Sequence, residues 1–419
     1  MLRFLTSFFL GIRIVLNDTR LTQTIKTKGF APTWIIGGIS SFCRFFEVLV
    51  SAYIIFKLSE SALLVALNSG LRVAPLLVVG WIIGRYADKF DKRFFINFST
   101  IIFIFSSFSA FILMVSNYIE VWHLLSLSFL SGLGWAFEFP SRRSFMGDIL
   151  KDSNISLGIG LDLTISNFGR FIGPILAGLM IDYFLNYSFI FSGTFYMFSF
   201  LLSLLIFRLT NIDDYEKEVE KEEAQNPFKS LIKNHMFRTV LVVTIVCNIW
   251  AFPTTSMVPV IGETVLKINP TLLGILVGAE GAGCLLGSLL IAGVKNRKLQ
   301  SILFISGSFI FFISIFIFSL SDIYFLSLIL LFLGGLGVAG FSTMQSVIIV
   351  DRTTSNLRGS AMGFLSTTIG MQPFGALNVG IICSIFLPEI GVRISAFQGL
   401  ILMIILLLIS EFWQKRYLN

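Results

Sequence analysis

Long apolar runs, broken by short clusters of charge, organise this chain from residue 33 onward. Twelve of them supply the roughly 20 apolar residues that an α-helix needs to cross a bilayer. They cover 33–56, 61–84, 94–116, 121–141, 156–184, 187–208, 238–261, 271–293, 299–320, 323–349, 359–387 and 392–412. Runs of this length predict helices and not a barrel. Their connections are short except for one, Leu-Thr-Asn-Ile-Asp-Asp-Tyr-Glu-Lys-Glu-Val-Glu-Lys-Glu-Glu and onward from Leu209, which cannot enter hydrocarbon. The expected architecture is therefore all-α and integral to the membrane: twelve transmembrane helices in two pseudo-symmetric six-helix bundles. Residues 1–30 form an N-terminal segment, 31–208 the first bundle, 209–237 the central loop, 238–413 the second bundle and 414–419 a tail.

Composition agrees. Hydrophobic residues make up 55% of the chain and charged residues only 13%, with 46 Phe and a mean hydropathy of +0.86, whereas soluble domains carry about 25% charged residues. The charge distribution adds sidedness. About 25 Lys and Arg fall on one side of the predicted topology against about three, Lys57, Lys267 and Arg393, on the other. Both termini and the central loop are expected in the cytoplasm, and the membrane is expected to be the bacterial cytoplasmic one. The net charge of +7 then reads as a topology signal and an attraction to anionic lipid headgroups, not as nucleic-acid binding. Phe4 to Leu16 is too short to span and has no small-residue cleavage site before Arg20; the preferred reading is an interfacial helix on the inner leaflet, the alternative a disordered extension.

Catalytic chemistry finds little support. Cys43, Cys247, Cys284 and Cys383 are scattered without paired spacing, so they read as packing residues. His123 and His235 lie on different elements, and no metal site is expected. No Ser/His/Asp arrangement and no Gly-x-x-x-x-Gly-Lys-Ser/Thr loop is present. Neither an enzyme nor an ATP-driven pump is expected, no cofactor is required, and energy would come from an ion gradient.

Charges inside the spans are the functional candidates, because an ionisable group in hydrocarbon is costly and usually faces a cavity or a partner. Arg44 and Glu47 in the first span, three residues apart, share a helix face and are expected to neutralise each other, either as a structural pair or with Glu47 exchanging a proton. Arg72 in the second span, Asp162 and Arg170 in the fifth and Glu280 in the eighth complete the set. Asp162 and Arg170 lie about two turns apart, too far for a direct pair, so each should meet a group on another helix or sit in a water-filled cavity. Glu280 has no charged neighbour in its Gly-rich segment Gly278–Gly287; it is a candidate proton carrier or a protonated hydrogen-bonder.

The turn Gly84-Arg-Tyr-Ala-Asp-Lys-Phe-Asp-Lys-Arg93 resembles the loop motif between helices two and three of the major facilitator superfamily, carried here by Gly84, Asp88, Lys89, Lys92 and Arg93. Asp91 stands where the motif usually has Gly. The fifth span, with Gly169, Gly173, Pro174 and Gly178, is similar to the Gly-x-x-x-Gly-Pro-x-x-x-Gly signature of exporters in that superfamily; glycines permit close helix contact and Pro174 permits a bend. A merely structural kink is the alternative. Leu71-Arg-Val-Ala-Pro75, Gly132 to Arg143 and Leu357 to Met362 resemble the branch of enterobactin exporters and macrolide-efflux proteins.

The resemblance implies a monomeric secondary transporter that rocks two halves around a central site, coupled to a proton gradient and exporting a drug, siderophore or secondary metabolite. Uptake, lipid flipping or a non-transporting membrane sensor are the alternatives. It implies a cytoplasmic latch in which Asp88 faces the positive N-terminus of helix eleven, with Lys89, Lys92, Arg93, Arg142, Arg143, Arg358 and Gly359 around it. Phe137, Asn248, Trp250, Phe252, Gln345, Gln372 and Asn378 are the residues expected at a substrate cavity; aromatic walls with a few polar anchors suit an amphipathic organic molecule.

Overall fold

The structure, a computed structural model, describes residues 19–79, 91–150, 152–210, 227–291, 294, 296–353 and 357–417. The membrane-length helices are α1 Phe30–Ser59, α2 Ala62–Val79, α3 Lys92–Val115, α4 Val121–Ile149, α5 Asp152–Phe184, α6 Ser188–Leu209, α7 His235–Thr264, α8 Pro270–Ile291, α9 Arg297–Phe318, α10 Tyr324–Arg352, α11 in two pieces, Arg358–Ile369 and Gln372–Ile385, and α12 Pro388–Tyr417. No strand occurs among the described residues. Ten stretches are long and apolar enough to cross a membrane; one of them, Leu157–Leu209, folds as both α5 and α6 around a short 3-10 turn at Leu185–Tyr187. Helix α4 is not among the ten; its apolar stretch is diluted by Glu138, His123 and several Ser and Gly residues.

The polar residues between spans set the helix starts. Ser61 caps α2 by accepting from the Leu64 N–H, and Asn234 and Asn296 cap α7 and α9 in the same way. Such caps satisfy N–H groups that the first turn leaves open. Asp91 caps α3, accepting from the Arg93 N–H at 2.9 Å; this is a local reason for Asp where the superfamily motif has Gly. His235, expected in the central loop, instead opens α7, and a short helix Pro227–Ile232 precedes it. Before α1 runs the short helix Thr19–Lys26; the interfacial helix expected over Phe4 to Leu16 lies outside the described residues.

Helices α1–α6 pack among themselves, as do α7–α12, and the two sets meet chiefly where α5 lies on α8 and α2 on α11. Small residues set these distances. A Cβ on Gly283 of α8 would strike the Phe332 carbonyl of α10, and one on Gly335 of α10 would strike the Glu280 carbonyl of α8, so the backbones touch directly. Gly283→Leu is expected to force α8 and α10 apart at a cost of about 3 kcal/mol or more. A melting temperature in detergent equal to that of the wild type would overturn this.

Polar contacts tie the two sets together on the face opposite the chain ends. Lys57 of α1 pairs with Glu263 of α7, and Asp182 of α5 accepts from both the backbone N–H and the hydroxyl of Thr271 at the start of α8. Phe105, Ile112, Leu201, Ile302 and Leu408 are among many large apolar side chains left exposed, which suits lipid and not water.

Candidate functional site

Two buried polar clusters occupy the first six helices, and a third joins them to the second six. In the first cluster Glu47 of α1 accepts from Arg72 of α2 at 3.2 and 3.3 Å, from Ser107 of α3 at 2.6 Å and from Ser192 of α6 at 2.8 Å. Both charged residues are buried, Glu47 at 2% and Arg72 at 6% exposure. Beside them Ser128 donates to Asn68 at 2.6 Å and Asn68 to Ser51 at 2.9 Å. A cavity of about 10 Å³ lies against Glu47, Arg72, Ser51 and Ser128, about the size of one water.

The expected Arg44–Glu47 pair does not form. Three residues along a helix leave an offset of about 60°, and that offset sends Glu47 toward α2, α3 and α6 while Arg44 turns toward α4. There the Arg44 guanidinium lies 4.2 Å from the Trp135 ring and 4.6 Å from Phe45.

The second cluster centres on Arg142 of α4, which bonds Glu138 one turn earlier and Asp162 of α5. Arg143 reaches the other Asp162 oxygen at 3.2 Å and lies on the Phe139 ring at 4.3 Å. Ser40 of α1 approaches Glu138 at 3.4 Å, and Gly37 leaves room for the Arg142 guanidinium. Arg142 and Arg143, expected in the cytoplasmic latch, pair here with the buried acids Glu138 and Asp162. The sequence reading also left Glu138 out of the buried set; an acid within the apolar stretch 121–141 was the signal for it.

The third cluster crosses between the two sets. Arg170 of α5 pairs with Glu280 of α8 at 2.8 Å, so Glu280 is not the solitary acid it was expected to be. Arg170 also lies 5.2 Å from Phe45 and 6.0 Å from Phe252 of α7. As expected, Asp162 and Arg170 find partners on other helices. Along these seams five arginines face four carboxylates: Arg72 answers Glu47, Arg142 and Arg143 answer Glu138 and Asp162, and Arg170 answers Glu280. Arg44 is left over. Among the described residues no carboxylate lies within 4.0 Å of it, and its Nε is buried without a hydrogen-bond partner.

The remaining expected residues divide. Gly84, Asp88 and Lys89 lie outside the described residues, as does the side chain of Arg358, while Gly359 falls in the first turn of α11. Lys92 pairs with Asp148 at 2.6 Å, and Arg93 bonds Asp91 at 2.8 Å and the Thr210 carbonyl. Among the cavity candidates, Phe252 stands at the Arg170 cluster and Gln372 reaches Ser69 of α2 at 3.4 Å; both lie where the two helix sets meet. Phe137 does not: it packs on Phe95 and Phe98 of α3, because its side of α4 faces that neighbour. Asn248 bonds the Thr244 carbonyl at 2.9 Å and Gln345 bonds the Thr244 hydroxyl, so both are interior packing groups of the second set. Trp250 and Asn378 donate to one acceptor, Gln398 of α12, at 3.1 and 3.3 Å. Gln398 itself escaped the sequence reading, since a single amide in an apolar span carries no spacing signal.

The family model described as Major Facilitator Superfamily matches residues 33–375. The chain belongs to that superfamily. The Staphyloferrin A transporter of Staphylococcus aureus is 24% identical to it over 330 residues, 75% of this chain and 79% of that protein. Multidrug resistance protein 1 of Bacillus subtilis is 25% identical over 169 residues, 40% and 42% of the two chains. Among solved structures, a D-xylose-proton symporter superposes with a TM-score of 0.70 at 11% identity over 90% of this chain and 96% of that one. A bacterial homologue of the human lysosomal transporter Spinster, inward-facing and unoccupied, does so with a TM-score of 0.67 at 13% identity, over 91% and 94%. The protein is thus an integral membrane transporter of the secondary kind.

Within this major facilitator fold the glycines of α5 have separate neighbours. A Cβ on Gly169 or Gly173 would meet the α1 backbone at Phe42, whereas one on Gly178 would meet α8 at Gly274. The signature residues therefore let α5 press against α1 on one side and across to the second set on the other. That contact places Arg170, between Gly169 and Gly173, opposite Glu280.

Proposed function

We propose that this superfamily transporter exports a small amphipathic organic molecule across the bacterial cytoplasmic membrane in exchange for protons, working as a monomer with both chain ends in the cytoplasm. The observation behind this reading is the Arg170–Glu280 pair, the buried ion pair that joins the two helix sets among the described residues. If the halves rock about a central site, a buried interfacial pair must either persist or be neutralised as they part. A proton arriving on Glu280 lowers the cost of separation, because breaking a buried pair without neutralising its charges is strongly unfavourable. Proton entry and helix movement are then one event.

Export is supported by the helix-five signature and by the name of one relative, a multidrug resistance protein. In this reading Asp88, outside the described residues, is the cytoplasmic latch, its carboxylate drawn to the positive N-terminus of α11. On the opposite face Lys57–Glu263 and Asp182–Thr271 hold the halves while the site opens inward. The test is efflux of a chemically diverse panel from cells expressing the protein, with and without a proton gradient. Efflux of at least one compound is expected, collapsing when the gradient is dissipated; rates indifferent to the gradient rule out proton antiport, and inward accumulation rules out export.

A further inference from the structure

Among the described residues, Arg44 is the one guanidinium of the intramembrane set with no carboxylate within 4.0 Å. The residue is half-buried with its Nε fully withdrawn from solvent, and a charge in such a place without a partner is costly. It is not displaced to a helix end where water would hydrate it; α1 continues for fourteen residues before it and fifteen after it, from Phe30 to Ser59. Two aromatic faces hold it instead, Trp135 at 4.2 Å and Phe45 at 4.6 Å. Such contacts offset part of the desolvation cost but supply no hydrogen-bond acceptor, and the Nε of Arg44 has none.

Phe45 is shared. Its ring lies 4.6 Å from Arg44 and 5.2 Å from Arg170, so two guanidinium groups flank one aromatic side chain at the contact between the two helix sets. Arg170 has only part of its hydrogen-bonding capacity engaged: it donates to Glu280, while its Nε is buried without a partner. Phe252 of α7 closes the second side. The cluster thus carries an excess positive charge, unfilled donors and flat apolar walls.

We infer that Arg44 and Arg170 form the binding site for the carboxylate of the transported molecule, and that the substrate class is organic anions and not neutral or cationic drugs. A planar fork of N–H donors binds a carboxylate through two parallel bonds, and the anion supplies the charge that Arg44 lacks. Flat apolar groups next to the carboxylate fit the ring faces. This inference rests on the proposed transport reading for the site's purpose, but binding needs neither a gradient nor a direction.

The test uses purified full-length protein in detergent and thermal-shift titration with 2-naphthoate, phthalate and benzoate, each against its neutral amide, with 2-naphthyl phosphate and inorganic phosphate as further arms. At least one carboxylate is expected to stabilise the protein where its amide does not. In Arg44→Gln that affinity is expected to fall by about thirty-fold or more, the usual effect of removing one side of a buried charge pair. Organic phosphate binding as tightly as the carboxylate would reassign the anion; equal binding of amide and acid, or of no anion at millimolar concentration, overturns the inference. A second measurement does not depend on choosing the ligand. With an uncompensated cation removed, Arg44→Met should melt higher than the wild type without ligand, whereas a lower melting temperature means that Arg44 is a structural group and defeats the assignment. Carboxylate binding without gradient-driven efflux would sink the antiport reading alone.

Discussion

Arg142→Met is expected to abolish recovery of folded transporter. Arg142 stands between Glu138 and Asp162, both fully buried, and its loss leaves two carboxylates against the single guanidinium of Arg143. Removing one partner of a buried pair costs about 3–5 kcal/mol, comparable to the roughly 5–15 kcal/mol that holds a typical domain together. The expected result is little or no monodisperse protein on size exclusion, and a depressed melting temperature in whatever remains. Arg143→Met should be milder, because Arg143 lies partly on Phe139 and meets only one Asp162 oxygen. Neutralising the acids together with the arginine, as Glu138→Gln, Asp162→Asn and Arg142→Met in one chain, should restore folding, since the penalty comes from unpaired charge and not from lost volume. An Arg142→Met protein that melts like the wild type would show that the cluster is hydrated or protonated, not ion-paired.

The all-helical membrane fold, most of the spans and the identity of most buried charges were legible in the sequence, because each depends on composition over about 20 residues or on one costly side chain. The pairing of those charges was not. Arg44 and Glu47 share a helix face at the resolution of sequence spacing, yet about 60° of rotation directs them to different neighbours, and only the packed bundle sets that rotation. Glu280 looked solitary because its partner Arg170 is 110 residues away on another helix. A polar stripe could have been read: Ser188, Ser192, Ser199 and Ser203 recur at helical spacing along α6 and all are buried, and one of them bonds Glu47. Small hydroxyl residues are so common at helix contacts in membranes that the stripe alone predicts packing and not an acid partner. Phe137 failed as a cavity residue for the converse reason: aromatic character does not reveal which side of α4 meets α3.

Glu280→Gln should separate coupling from binding. The amide keeps the size of the carboxyl and a hydrogen bond to Arg170 but cannot take up a proton, so gradient-driven efflux is expected to fall to the rate seen with the gradient dissipated and to lose its pH dependence. Glu47→Gln provides the contrast. Glu47 accepts from Arg72 and two serines entirely within the first helix set, and no movement between halves needs to break those bonds; its substitution should lower stability while the surviving protein stays gradient-sensitive. Retained proton coupling in Glu280→Gln, with coupling lost in Glu47→Gln, would move the proton site into the first bundle. The same variant also bears on the substrate. With its carboxylate gone, Arg170 joins Arg44 as an uncompensated cation, so an organic carboxylate should bind Glu280→Gln more tightly than the wild type.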